Sequence, residues 1–224
     1  MDDCTFAVPR SHIVGLIGPN GSGKTTTFNL LTGIVRPDGG EIFFEGENVA
    51  GLKPFEVFRR GITRTFQITR VFREMTVFEN MLSVTGLGLA DRVARERAEA
   101  LIDFVNLTHL RREYAGRLSY GQQKLLEFAR ALMTDPALIL LDEPAAGVNR
   151  TLLHQLLDHI HRLQVEGKTI VIVEHDMNVI MNHCAQIFVM DAGSVIAEGP
   201  PAAIQGDKRV IDAYFGRRRA AVGR

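Results

Sequence analysis

Short apolar runs separated by turn residues fill the first and last thirds of the chain, a pattern typical of the strands of an α/β protein. The predicted strands are 5–8, 12–17, 41–44, 62–66, 137–141, 169–173, 186–190 and 194–197. Apolar residues at helical spacing predict helices at 26–31 and 54–60, and a longer one around Leu152–Leu163. The runs 138–141 and 170–173 are continuously apolar, which indicates strands of a parallel sheet covered on both faces.

The middle third has a different pattern, because strand signals stop at about residue 67 and helical periodicity continues to about residue 130. Residues 90–105 are strongly charged on one side, as expected for a surface helix. The sequence therefore predicts an α/β core interrupted by an all-helical insert.

Composition excludes several classes of protein. The chain of 224 residues has 26 Lys and Arg against 26 Asp and Glu, so no net charge attracts nucleic acid or an anionic membrane. Its two cysteines, Cys4 and Cys184, form neither a disulfide framework nor a zinc pattern, which fits a reducing cytosol. The acidic start is unlike a signal peptide, and no apolar run approaches the ~20 residues that span a bilayer. If the protein serves a membrane, we expect other chains to cross it.

The most specific motif is Gly18–Thr25, which fits G-x-x-x-x-G-K-[ST] between a predicted strand and a predicted helix. Its glycines let several backbone N–H groups converge on one anion at the start of a helix. We expect Lys24 to reach the terminal phosphates of a nucleoside triphosphate and the Thr25 hydroxyl to ligate Mg²⁺. An ordinary glycine-rich turn is the alternative, and the Lys-Thr pair at the right offset disfavours it. The predicted nucleotide-binding residues here are Gly18, Pro19, Asn20, Gly21, Ser22, Gly23, Lys24, Thr25 and Thr26.

Two acidic residues follow the apolar strand 138–141, at the end of a strand where an open α/β sheet places its ligands. Asp142 is suited to the Mg²⁺ held by Thr25, directly or through water. Glu143 points elsewhere and is predicted to polarise a water in line with the γ-phosphate. The alternative is that both are surface acids of a loop. The pattern favours hydrolysis over phosphoryl transfer.

A second anion site is predicted at the helix that opens with Leu118–Gln123. Ser119 fits an N-cap, and Gly121 leaves the backbone of the first turn uncovered. A hydroxyl, bare N–H groups and a helix dipole together favour binding of a phosphate. The simpler alternative is a capped helix start.

These features together resemble the ATP-binding-cassette family. Gly18–Thr25 matches its Walker A motif, 138–142 its Walker B motif and 118–123 its signature sequence. Gln67 resembles the Q-loop glutamine, and His175, after the strand 169–173, resembles the switch histidine, although a histidine there is often an ordinary core residue. The resemblance implies catalytic roles for Glu143, His175 and Lys24, nucleotide contacts from Gln67, and a Mg²⁺ site of Thr25, Gln67 and Asp142.

The resemblance also implies an architecture. We expect a P-loop NTPase (RecA-like) α/β core with a small antiparallel β portion and an inserted α-helical subdomain. The expected divisions are 1–66 and 131–216 for the two parts of the core, 67–130 for the helical subdomain and 217–224 for a basic tail. Two cassettes are expected to pair head to tail, with each ATP held between Lys24 of one and Ser119 and Gly121 of the other.

Residues 66–80, 144–149 and 210–216 resemble the ATPases of branched-chain amino acid importers. This implies a second cassette (a copy of itself or a paralogue), two integral membrane permease subunits, indirect work with an external solute-binding protein, and no nucleic acid. The protein would be cytoplasmic and peripheral on the inner face of the plasma membrane. Residues 68–80 would face the permease, through a groove of Val71, Phe72, Met75 and Val77; packing between subdomains is the alternative role. A lipid or lipopolysaccharide exporter and a soluble non-transport cassette are the competing functions.

Three departures from the family pattern have consequences. Tyr120 replaces a signature glycine whose N–H is the functional group, so we expect function to be retained. Asn149 stands where many cassettes have Asp, which puts communication between the two sites in doubt. The aromatic residue that stacks on adenine upstream of 5–8 has no counterpart, so either the start site is misassigned or a stacking contribution of roughly 1–3 kcal/mol is missing.

Overall fold

A six-stranded sheet forms the centre of the computed structural model, which describes residues 1, 3–66, 69–84 and 90–221. The strand order is β4-β5-β6-β1-β7-β8, in which every neighbouring pair is parallel except β7 and β8. The strands are β1 (Ile13–Ile17), β4 (Ile62–Arg64), β5 (Leu138–Asp142), β6 (Thr169–Val173), β7 (Gln186–Asp191) and β8 (Ser194–Gly199). A separate antiparallel hairpin pairs β2 (Phe43–Phe44) with β3 (Glu47–Asn48). Both the α/β core and the small antiparallel portion are confirmed.

Side chains that alternate along the strands build two cores, one on each face of the sheet. On β1, Ile13 and Ile17 contribute to one core while Val14 and Leu16 contribute to the other. Helices cover both faces: α1 (Lys24–Leu31) and α2 (Pro54–Arg59) pack on one, and α5 to α7 on the other. These last helices are α5 (Tyr120–Ala131), α6 (Arg150–Val165) and α7 (Met177–His183). Burial on both faces explains the continuous apolar runs of β5 and β6.

The described residues between 69 and 130 form helices, two 3₁₀ turns and connecting loops, and their one β contact is an isolated bridge between Thr76 and Tyr114. It contains α3 (Val77–Leu82), α4 (Asp91–Phe104) and α5. Capping boxes start α3 at Thr76 and α5 at Ser119. The chain ends in α8 (Pro201–Gln205) and α9 (Lys208–Ala221), so the basic residues from 217 to 219 continue a helix.

The prediction of a strand at 5–8 is wrong, because these residues have no strand partner among the described residues. The apolar character of the segment has another cause: Phe6 packs its ring 4.8 Å from the ring of Phe188 on β7. The other strands form within a few residues of their predicted bounds. Glu47 and Asn48, which lie outside the predicted strands, pair with β2 as β3.

His159 is the least expected residue of the core. It lies on α6 with its ring 4.5 Å from the ring of Phe104 on α4, so it joins the core to the helical insert. Neither ring nitrogen has a hydrogen-bond partner. Burial, with a smaller contribution from Arg162, lowers the pKa of this imidazole. Two unpaired polar atoms in an apolar contact reduce the stability of this boundary.

We expect His159→Leu to raise the free energy of unfolding at pH 7 by about 1–3 kcal/mol, because it removes two unpaired polar atoms. Because the pKa is lowered in the folded protein, the unfolded state binds the extra proton. This part of the stability is complete above about pH 6.5 and is lost as the pH falls through that value. The variant should therefore lose less stability between pH 7 and pH 5.5, as measured by urea unfolding. His109→Leu, at an exposed histidine, is the control, and an equal pH dependence in wild type and His159→Leu would contradict the prediction.

Candidate active site

The phosphate loop joins the end of β1 to the start of α1 and is built on glycines with left-handed backbone angles. Gly18, Gly21 and Gly23 have φ values of 150°, 79° and 110°. A Cβ at Gly18 would collide with the carbonyl oxygen of Met190, so the loop lies directly against the end of β7. Of the predicted nucleotide-binding residues here, Asn20, Gly21, Thr25 and Thr26 are exposed, whereas Gly18, Ser22 and Lys24 are buried.

Lys24 lies within this loop and is largely buried. Its Nζ donates to the carbonyl oxygens of Gly18 and Pro19, at 2.8 and 3.0 Å, and approaches Ser22 Oγ at 3.4 Å. Burial lowers its pKa, while the nearby carboxylates of Glu143 and Asp142 oppose that shift. The lysine therefore lies in the electrostatic field of Glu143, the predicted general base, and of Asp142, the predicted Mg²⁺ ligand, so the first two motifs meet here.

Asp142 ends β5, and a buried arginine holds its carboxylate. Arg64 Nη2 donates to Asp142 Oδ2 at 2.7 Å, and Arg64 Nη1 donates to Asn29 Oδ1 on α1 at 2.6 Å. The side chains of Arg64 and Asp142 are only 6% and 8% exposed. The guanidinium also lies 5.3 and 5.2 Å from the ring centroids of Phe28 and Phe66.

The donor set fits Mg²⁺. A carboxylate and a threonine hydroxyl are hard oxygen ligands, and the helix N-terminus beside them suits the phosphates that supply the remaining oxygens. Arg64 donates a hydrogen bond to Oδ2 of Asp142, and this bond fixes the orientation of the carboxylate. Gln67, the third predicted ligand, lies outside the described residues.

Glu143 and His175 form a direct contact. Glu143 Oε1 lies 2.9 Å from His175 Nε2, and because a carboxylate only accepts, that nitrogen carries the proton. Glu143 has a left-handed backbone, with φ of 50°, and its N–H donates to the carbonyl of Val173 on β6 at 2.8 Å. The exposed imidazole and the acid thus face each other across the ends of two neighbouring strands.

Glu174 was not predicted from the sequence, yet it ties the same two strand ends together. Its buried carboxylate accepts from the N–H groups of Ala145 and His175, and from Asp176 at 3.4 Å. The sequence signal that could have identified Glu174 is its position in a polar segment directly after an apolar strand. A buried acid paired with backbone amides holds the histidine turn against the turn that follows Glu143.

Ser119 and Gly121 are placed by their own helix and by α6. Ser119 Oγ accepts from the N–H of Gln122 at 3.3 Å, which confirms the N-cap. A Cβ at Gly121 would collide with Leu152 of α6. No hydrogen bond or ion pair joins either residue to residues 18–25 in the described part of the chain. One chain therefore brings together Lys24, Asp142, Glu143 and His175. The predicted second anion site makes no such contact with them in the described residues.

Two of the three departures from the family pattern, Tyr120 and Asn149, have structural roles. The Tyr120 ring packs on Gly147, where a Cβ would lie 2.8 Å from Cε1 of the tyrosine. Asn149 is the N-cap of α6, because its Oδ1 accepts from the N–H of Leu152 at 2.9 Å.

The C-terminal helix also reaches the site. Burial raises the pKa of the Tyr214 phenol, and a hydrogen bond with the backbone of Gly18 opposes that shift. The sequence indicated nothing about this contact, because 196 residues separate the two positions.

The segment predicted to face a permease is partly available. Phe72 and Met75 are 52% and 39% exposed. Val77 is completely buried in the core as the first residue of α3, so its inclusion in the groove was wrong. Ile68 lies outside the described residues. In the residues that are described, no helix is long and apolar enough to cross a membrane.

Comparison with known families agrees with this geometry. Residues 1–146 match the model of the family described as ABC transporter. Residues 194–220 match a second model, described as branched-chain amino acid ATP-binding cassette transporter.

Curated relatives match over almost the whole chain. A probable branched-chain amino acid transport ATP-binding protein, LivG, of Archaeoglobus fulgidus is 40% identical over 230 residues, covering 97% of this chain and 90% of the relative. A high-affinity branched-chain amino acid transport ATP-binding protein, BraF, of Pseudomonas aeruginosa is 40% identical over 226 residues, covering 93% and 89%.

Solved structures show the same fold. A nucleotide-free ATP-binding cassette from an ABC transporter superposes with a TM-score of 0.85 at 34% identity, covering 94% of this chain and 90% of that one. A dimeric post-hydrolysis cassette bound to ADP and Pi has a TM-score of 0.78 at 26% identity, covering 88% and 89%.

The buried pair of Arg64 and Asp142 yields a stability prediction. Arg64→Met leaves a buried carboxylate without its cation, so we expect the free energy of unfolding to fall by about 3–5 kcal/mol. Arg64→Met combined with Asp142→Asn should recover a large part of that loss, because no isolated charge remains. Urea unfolding of the three variants measures both effects. Arg60→Met breaks the exposed pair with Glu47 and should change stability by less than about 1 kcal/mol; a similarly small effect of Arg64→Met would contradict the prediction.

Proposed function

This chain belongs to the ABC transporter family, as one of its ATP-binding cassettes, and we propose that it powers the import of branched-chain amino acids through separate permease subunits. The observation that carries the ATPase part of the proposal is the contact of Glu143 with His175 beside Lys24 and Asp142. An acid, an imidazole and a loop lysine at one sheet edge are what hydrolysis of a bound triphosphate requires.

In the proposed reaction Glu143 is the general base. Its carboxylate accepts a proton from the water that attacks the γ-phosphate. His175 donates to Glu143 and thereby orients the carboxylate. Lys24 stabilises the negative charge of the terminal phosphates, which the exposed N–H groups of the loop also bind. Thr25, Asp142 and Gln67 would hold Mg²⁺, which would supply positive charge to the phosphates of the bound nucleotide.

Ser119 and Gly121 complete the proposed site from a second cassette. Within the described residues of one chain, neither residue has a hydrogen bond or ion pair to residues 18–25, which leaves both available to the nucleotide of a partner cassette. The neighbour bound to ADP and Pi is itself dimeric. We propose a head-to-tail pair, with a copy of this chain or a paralogue as the partner.

The relatives decide between the candidate solutes and directions. Both named relatives are branched-chain amino acid transport proteins, and the C-terminal match from residue 194 to 220 is specific to that group. This favours import over the lipid exporter and the soluble cassette. Permease subunits would contact Phe72 and Met75 and hold the protein at the cytoplasmic face of the plasma membrane, and an external solute-binding protein would act through them.

The catalytic assignment predicts a separation of binding from hydrolysis. Glu143→Gln should bind ATP with nearly unchanged affinity, because the phosphate loop is intact, and should slow hydrolysis by roughly 10²–10⁴-fold. Equilibrium binding of a fluorescent ATP analogue and phosphate release measure the two properties. Lys24→Ala is the matched comparison, since it should lose both binding and turnover. Wild-type hydrolysis by Glu143→Gln, or loss of ATP binding in it, would refute the role of Glu143.

The transport assignment predicts specific partners. Tagged protein purified from detergent-solubilised membranes of the source cells should carry two permease subunits, identified by mass spectrometry. Phe72→Ser should reduce this capture at least about tenfold, because a buried aromatic anchor contributes much of an interface. Phe43→Ser changes an equally apolar exposed residue, 63% accessible, on the β2–β3 hairpin and should leave capture unchanged. Ribosomal proteins or subunits of a lipid exporter in place of the permeases would contradict the proposal.

A further inference from the structure

One face of α5 carries three charged residues at a spacing of three: Lys124, Glu127 and Arg130. Lys124 and Glu127 are 8% and 5% exposed, which is unusual for such side chains. Buried charges of this kind are retained only where they are paired or hydrogen-bonded. The contacts of these three residues therefore identify the segments of the chain that α5 holds in place.

Lys124 holds the turn that carries Glu143. Its Nζ donates to the carbonyl oxygen of Glu143 at 3.0 Å and to that of Pro144 at 3.3 Å. Burial lowers the pKa of this lysine, and the carboxylates of Glu174, Glu127 and Glu143 oppose the shift. The same turn has the left-handed residue Glu143, and such a backbone conformation persists only where the surrounding structure holds it.

The other two charges anchor the helix to the segment after Gln67. Glu127 Oε1 accepts from the N–H of Arg70 at 3.0 Å, and Arg130 donates to the carbonyl oxygen of Arg70. Burial raises the pKa of Glu127, against hydrogen bonds that favour its charged form. Since these contacts hold both the N–H and the carbonyl group of Arg70, α5 has a fixed position from which Lys124 reaches the turn.

We propose that Lys124 is a positioning residue for ATP hydrolysis, which fixes the two carbonyl groups of the turn after β5 and thereby aims the carboxylate of Glu143. Lys124 touches neither the nucleotide loop nor the imidazole of His175 in the contacts described; it acts through the backbone of Glu143. The inference rests on the proposed catalytic role of Glu143.

The test is Lys124→Met in the full-length chain. Without the two hydrogen bonds the turn relaxes, and we expect kcat to fall by about 10²-fold, since displacements of about 1 Å have effects of that size. The KM for ATP should change less than about threefold, because the phosphate loop is untouched. Lys124→Arg keeps a charged donor and should recover most of the rate. Lys168→Met removes another largely buried lysine, paired with Asp135, and is the control that should keep wild-type kcat.

A double variant separates positioning from a general structural effect. In a Glu143→Gln background, Lys124→Met should reduce single-turnover hydrolysis by less than about threefold, because the group it positions is already gone. An equal 10²-fold loss in both backgrounds, or wild-type kcat in Lys124→Met, would overturn the proposal. If the methionine variant does not fold, Lys124→Gln, with a neutral donor, is measured in the same way. Full activity of Glu143→Gln alone would instead overturn the proposed function.

Discussion

The parallel register of β1, β5 and β6 is the constraint on which the site depends. Asp142 of β5 is level with Val173 of β6, and Leu16 of β1 is level with the same residue, so all three strands end at one edge. Each strand is buried on both faces, and a slip by one residue would exchange its two sets of core side chains. Gly18, Glu143 and Glu174 therefore leave the sheet beside one another, although about 150 residues separate the first from the last. The chemistry is a consequence of strand pairing.

Several charged side chains lie at that edge, and each of the buried ones is paired with another group of the protein. Asp142 faces Arg64, Glu174 faces three backbone amides, and Lys124 faces two carbonyl groups. Unpaired buried charges would be unfavourable, because the free energy lost on desolvation exceeds the free energy gained from one poorly aligned contact. With each group paired, the acids keep defined orientations before any ligand arrives. Such preorganisation is the main way in which a site stabilises developing charge.

The sequence was sufficient to predict the features that depend only on residues close together in the chain. Glycine offsets in residues 18–25, the apolar run before Asp142 and the N-cap at Ser119 all have a physical meaning within a few residues, and the structure has each of them. Residues whose role depends on a distant partner were not predictable. Arg64 appeared as one polar residue of a strand, and its role depends on Asp142, 78 positions later. Lys124 and Glu174 were missed for the same reason. The wrong prediction of a strand at 5–8 has a related cause. This apolar segment packs on Phe188 but does not pair with a strand.

Tyr120 and Asn149, treated separately as departures from the family pattern, belong to one surface. The tyrosine ring covers Gly147, two residues before the asparagine that caps α6, and Leu152 of that helix fills the space beside Gly121. Gly147 has φ of 73°, so the turn is already in a conformation that a larger residue would resist. The start of α5 is thus supported by the turn that precedes α6 in the same chain. In the proposed head-to-tail pair, a cassette that offers this surface to ATP would lose less conformational entropy on binding, and preorganisation of that kind strengthens association without adding a contact.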